Sequence, residues 1–237
     1  MATTAVAHAG HPPTSTGLDH RKIAIWAFIG SECMLFASLI STYLIYKGRS
    51  RVGPFPHEWW CRATNATSLD GPIANCPAGE LLKPILDIPV TSQSTFVLLM
   101  SSLSMVLALA AVETKDRALP PNASLGDRAL ASSKLWLFIT ALLGAMFLGY
   151  QAYEFTSFVH EGLTIRTNLF GSSFFTLTGF HGAHVSAGVL WLVTLLAIDM
   201  KRGLGPRDAL LVDISALYWH FVDVVWIAIF TLVYLIK

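Results

Sequence analysis

Charge is scarce in this chain. Aspartate, glutamate, lysine and arginine supply 13% of its 237 residues, about half the share usual in a water-soluble domain. The net charge of +1 leaves no concentrated basic surface. Phosphate binding requires one, so nucleic acid is excluded as a partner. Internal repeats and Gly/Pro-broken apolar segments are missing as well, which weighs against a two-halved, proton-coupled transporter. The N-terminus does not read as a cleaved signal peptide, because Arg21 and Lys22 open a span far longer than a signal core. Cysteine is limited to three residues. Cys33 lies in an apolar stretch and reads as a small packing residue. Cys61 and Cys76 share a long loop, where they form either a disulfide or two free thiols.

What is abundant is apolar side chain, 54% of the residues. Five stretches reach the roughly 20 residues needed to cross a hydrocarbon core about 30 Å thick. They lie near 22–46, 93–113, 133–157, 172–200 and 214–236. Backbone groups in lipid must be satisfied within the segment, so each stretch is read as a helix. The expected fold is all-α, an integral membrane bundle of five transmembrane helices. Residues 1–21, rich in Ala, Thr, Pro, Gly and His, carry too little apolar bulk to fold alone and read as a disordered tail. The membrane domain then occupies 22–237, with a long loop at 47–92.

Taken together, the tail and the 114–132 and 201–213 loops carry lysine and arginine more densely than the 47–92 and 158–171 loops. That bias favours a cytoplasmic N-terminus and an extracytoplasmic C-terminus, although Lys47, Arg49 and Arg51 flank the first span on the opposing side. The 47–92 loop then faces an oxidising compartment, where a Cys61–Cys76 bond is favourable.

Ionisable groups inside a membrane cost about 2.5–3.5 kcal/mol on insertion scales, so they normally face protein or water. Here they are Glu32, Glu154, His181, His184, His220 and Asp223. At about 1.5 Å per residue, Glu32 and Asp223 lie about 14–15 Å deep and His220 about 9 Å, with His184 at a comparable level. Glu32, His184, His220 and Asp223 are thus expected in one layer. His220 and Asp223 share a helix face, as do His181, His184 and Gly188. Gly182 and Gly188 are expected to let a neighbouring backbone come close. Glu154, near the outer end of its span, reads as an interfacial anchor in reach of water.

Two readings compete for this set. In the first, Glu154, His181, His220 and Asp223 form an interhelical polar network that fixes packing. In the second, the groups handle protons or lipid headgroups. Glu32 favours the second: its neighbours in "SECMLFASLI" are apolar and offer it no local partner. A single haem between His184 and His220 is a further alternative. A binuclear haem–copper centre needs more histidines than the spans contain.

Four segments are distinctive: "GSECMLFASLISTYLIY", "GYQAYEF", "TGFHGAHVSAGVLWL" and "YWHFVDVVWIAIFTLVYLI". Through them the chain resembles subunit III of the haem-copper terminal oxidases in its five-helix bacterial form, from about Trp26 to Lys237 apart from most of the 47–92 loop. The resemblance implies an accessory subunit in a bacterial plasma membrane, without a redox metal of its own. Haem and copper are expected in partner subunits, and bound phospholipid is expected in this one. The implied partners are the catalytic subunit I, subunit II and other respiratory-complex subunits. Subunit III stabilises the catalytic subunit, holds lipid and sustains proton uptake during aerobic electron transport.

Residue by residue, Glu32 matches the family's buried carboxyl that reacts with hydrophobic carbodiimides. His184 matches a histidine near lipid headgroups, and Lys201 and Arg202 stand close to a basic position with that role. His220 and Asp223 match the signature of the last helix. Many members have seven helices, and this chain lacks the first two, so one arm of the lipid-holding cleft falls to neighbouring subunits. Cytochrome c oxidase is the favoured assignment and quinol oxidase the alternative.

Overall fold

The fold is taken from a computed structural model that describes residues 19–67, 76–77, 79–115, 122 and 124–236. Most of the expected N-terminal tail lies outside the described residues. Among those described, five helices are long and apolar enough to cross a membrane. They are α1 (His20–Tyr46), α2 (Ile88–Glu113), α4 (Ser133–His160), α5 (Leu169–Arg202) and α6 (Ala209–Phe230). A short helix, α3 (Leu125–Leu130), lies between α2 and α4.

Every span starts earlier than, or level with, the apolar stretch that announced it, because the first turn belongs to a polar cap. The Asp19 carboxylate accepts from the Arg21 amide, so α1 opens at His20 rather than 22. Asp87 caps α2, with Pro89 in its first turn, and moves its start from 93 to Ile88. Asn168 accepts from the Gly171 amide at 2.7 Å and moves the start of α5 from 172 to Leu169. The last helix opens at Ala209, not 214, behind a 3-10 turn at Pro206–Asp208, and closes in a π-turn at Thr231–Leu235. His220 and Asp223 therefore lie deeper than the apolar pattern alone suggests.

The helices close into a ring in the order α1, α5, α4, α2, α6, with α5 and α6 also touching across the middle. Two tryptophans of α6, seven residues apart, fill the centre. Trp219 donates its indole N–H to Ser101 of α2 at 2.9 Å, and its ring lies over Gly144 of α4 and Gly188 of α5. A Cβ on Gly144 would fall 2.6 Å from that ring, and one on Gly188 would fall 2.8 Å from it. Gly182 likewise admits the Gln151 side chain, whose amide donates to Thr178 O. The expectation that Gly182 and Gly188 admit a backbone is thus corrected: they admit a glutamine and a tryptophan, side chains too large to lie over a methyl group. Trp226 donates to Thr95 at 3.0 Å and meets the edge of Phe147.

The loop between α1 and α2 carries a two-stranded antiparallel ribbon, β1 (Trp60–Cys61) and β2 (Leu81–Leu82). Cys61 and Cys76 are disulfide-bonded there. The loop also grips the end of the chain. Lys47 donates to Ile236 O at 2.6 Å and His57 Nε2 to Val233 O at 3.0 Å, so two side chains satisfy carbonyls the final turn leaves open. Burial at that position pushes the Lys47 ammonium below its ordinary pKa.

Candidate functional site

The polar side chains inside the bundle form separate clusters rather than one layer. The first joins α1 to α5. His184 Nδ1 donates to Phe180 O at 2.8 Å, its own helix's carbonyl, so Nε2 is left facing the Glu32 carboxyl at 3.0 Å. One proton is shared across that contact, held either by the imidazole or by the carboxyl. Both side chains are 17% exposed on the outer flank of the bundle. Phe36 packs edge-on against the imidazole, and Tyr218 donates to His184 O. Glu32, apolar in its local sequence, obtains its partner from a helix about 150 residues away.

The second cluster joins α2 to α6. The Ser102 hydroxyl donates to the Asp223 carboxylate, and His220 Nδ1 lies 2.8 Å from the Ser102 hydroxyl oxygen. Among the described residues no hydrogen bond links this trio to Glu32 and His184: the two clusters lie on different flanks of α6, one against α1 and α5, the other against α2. The expected four-residue layer is therefore corrected to two. The arrangement also removes the frame for a haem between His184 and His220, because the two imidazoles address different helices.

His181 joins neither cluster. It is fully buried, both ring nitrogens lack hydrogen bonds, and its ring stacks on Trp226 at 4.9 Å beside Phe147. The residues around it are aromatic, so its place in a hydrogen-bonded network is corrected to a place in an aromatic stack. Glu154 is corrected too. It is 6% exposed instead of reaching freely into water, because Thr91 of α2 donates to it at 2.7 Å and α6 brings Tyr234 alongside. Glu154 is thus another pairwise tie, between α4 and α2.

A fourth cluster escaped the sequence reading. Asp199, at the end of α5, is completely buried; it accepts from Ser133 at 2.6 Å and from the Leu204 amide at 2.7 Å, with Lys115 3.6 Å away. Its signal was present in the pairing of a carboxylate near a helix end with a glycine, Gly203, at φ 73°, which folds the chain back onto it. The α2 partners were also missed. Thr91, Thr95, Ser101, Ser102 and Ser104 recur at helical spacing and supply most of the hydroxyls used by α4 and α6. Their spacing was the available clue.

The candidate lipid contacts separate as well. His184 and Lys201 lie about 25 Å apart along α5, too far to touch one headgroup. Arg202 pairs with Asp208 at 2.9 Å, while Lys201 is exposed.

With this geometry in place, sequence comparison decides the family. Residues 76–237 match the family model "Cytochrome c oxidase subunit III". The chain belongs to that family. It is 38% identical over 216 residues to cytochrome c oxidase subunit 3 of Bacillus sp. (strain PS3), covering 91% of this chain and 86% of the relative. It is 32% identical over 235 residues to quinol oxidase subunit 3 of Bacillus subtilis (strain 168), covering 96% of each. The family-model match begins after α1, whereas both relatives align through it. The chain is therefore an integral membrane, accessory subunit III of a haem-copper oxidase, associated with other oxidase subunits.

Proposed function

We propose that this subunit serves a cytochrome c-driven complex of the bacterial plasma membrane, which reduces oxygen and translocates protons. Haem and copper reside in subunits I and II, and this chain contributes a scaffold, a phospholipid-bearing surface and the Glu32–His184 pair. The higher identity to a cytochrome c oxidase subunit than to a quinol oxidase subunit, 38% against 32%, supports the donor. Its N-terminus faces the cytoplasm: lysines and arginines concentrate at the α3 end, and the Cys61–Cys76 bond at the opposite end suits an oxidising compartment.

The observation that carries the reading is the 3.0 Å contact between the Glu32 carboxyl and His184 Nε2, within the membrane on the partly exposed outer flank of the bundle. Such a pair accepts or releases a proton with little rearrangement, which suits a group that keeps a neighbouring subunit supplied. Glu32→Gln keeps shape and hydrogen bonding but cannot ionise. In the purified oxidase, initial oxygen-consumption rates of the variant should match the parent, while activity under sustained turnover should decay sooner. Superimposable time courses would refute the role.

A further inference from the structure

Lys47, Arg49 and Arg51 oppose the charge bias that orients the chain. The fold brings two of them to one place. Lys47 and Arg51 line a cavity of about 730 Å³ between the end of α1, the segment before β1 and the start of α5. Leu44, Phe55 and Phe170 supply apolar wall to the same cavity, whose size is that of an ordinary small-molecule site.

Positive charge is in excess there. Among the described residues no carboxylate comes within ion-pair distance of Lys47 or Arg51, whereas Arg21, Lys22, Lys115 and Arg202 each have one. Glu58 is the single acidic residue on the wall, set against both cations. The Lys47 ammonium is held by backbone carbonyls, Ile236 O at 2.6 Å and Leu232 O at 3.5 Å, which orient it without neutralising it. Arg51 is exposed, and its planar guanidinium offers the paired donors that match two phosphate oxygens.

The position of the cavity adds a second requirement. From Tyr46 back to Cys33, α1 carries no acidic or basic residue, and its most apolar stretch is only 11% buried. A ligand with an anionic head and an apolar tail meets both conditions; a free anion meets only the first. Lys47 stands about 22 Å along α1 from Glu32, and Lys201 and Arg202 close the opposite end of α5 from Phe170. The cavity is therefore separate from His184, Lys201 and Arg202.

We infer that this cavity binds a phosphate-bearing anion, with Arg51 as the bidentate donor and Lys47 as the point charge, and that a glycerophospholipid headgroup with its acyl chain along α1 is the form that suits its walls. For the source of the ligand the inference rests on the phospholipid-bearing surface proposed above; the anion chemistry stands without it.

The test follows acetylation of Lys47 by a small neutral reagent, read by peptide mass spectrometry on the full-length protein in the complex that mild detergent extracts. Lys83, exposed in the same loop and outside the cavity, is the internal standard. Added phosphatidylglycerol should slow Lys47 about fivefold relative to Lys83, and diacylglycerol, which lacks the phosphate, should not. Arg51→Gln should abolish the protection and Arg51→Lys should restore part of it. Protection by inorganic phosphate but not by the lipid would uphold the anion site and remove the headgroup. Protection that persists in Arg51→Gln, equal slowing of Lys47 and Lys83, equal protection by diacylglycerol, or no slowing by either phosphate source would overturn the proposal. Native mass spectrometry separates the two failures: phospholipid retained on the protein with Lys47 unprotected sinks the cavity alone, whereas no retained phospholipid sinks the lipid-bearing surface itself.

Discussion

The flank built by α1 and the core built by α2, α4 and α6 solve the same problem by different means. In the most apolar stretch of α1, 11% of residues are buried within the bundle; for the last span the share is 56%. The core is held by fit, with the Trp219 indole on two glycines, the Trp226 indole against Phe147 and His181, and a serine or threonine oxygen at each indole N–H. α1 is held mainly at three levels: Lys22 to Asp213 at 2.7 Å, Glu32 to His184, and the loop-end grip of Lys47 and His57. Phe36 and Tyr43 are the main side chains it buries. Packing in lipid gains little from hydrophobicity, because acyl chains are as apolar as leucine. A helix without tight side-chain fit must therefore rely more heavily on polar ties, such as the Glu32–His184 contact.

The comparison can be broken from either side. The largest effect should come from the core. Trp219→Ala empties the space over Gly144 and Gly188 and should cost about 3–5 kcal/mol, read as loss of folded subunit in graded detergent denaturation. A variant as resistant as the parent would show that the centre of the ring is not held by fit. Next comes the loop that grips the C-terminal turn. Cys61→Ser with Cys76→Ser opens a bond spanning 15 residues and should destabilise that loop by about 3 kcal/mol, seen as protease cleavage between β1 and β2 while the five helices persist. Cleavage that proceeds no faster than in the parent would remove the bond from α1's support.

Asp223→Ala should weaken the α2–α6 tie by about 1–2 kcal/mol and lower recovery of this subunit with the complex. Asp223→Asn, which still accepts from Ser102, should recover most of it; equal losses for both would point to charge instead of the hydrogen bond. The smallest change belongs to the end of α1. Lys22→Met removes a partly exposed pair and should cost less than about 1 kcal/mol, measurable as a slight shift in the same denaturation curve and diminishing with salt in the parent. A loss as large as that of Trp219→Ala would invert the comparison.

Much of the fold was legible because lipid imposes length and self-satisfied hydrogen bonding on each span independently of the others. Helix starts were less so: Asp19, Asp87 and Asn168 are polar, and an apolar window excludes the caps that begin the helices. The site was legible as a set of residues and not as pairs. Glu32, His184, His220 and Asp223 stood out by cost alone, since a charge in lipid draws attention wherever it lies. Their division into two clusters depended on which flank of α6 each helix adjoins, and that order, α1–α5–α4–α2–α6, is not written in any single span. His181 shows the limit most plainly. Its sequence neighbourhood matches that of His184 three residues on, yet one faces Glu32 and the other lies among Trp226 and Phe147.

The sequence by itself determined that this chain lives in a membrane as five helices, which residues there are ionisable, and to which family it belongs. Those properties follow from hydropathy, length and residue identity, each readable segment by segment. Only the tertiary structure decided who meets whom: the contact of Glu32 with His184, the hydroxyl between His220 and Asp223, and the enclosure of Asp199. Pairing within a bundle is set by the order and rotation of helices about their axes, and those arise from how tryptophans, glycines and hydroxyls from distant segments fit together.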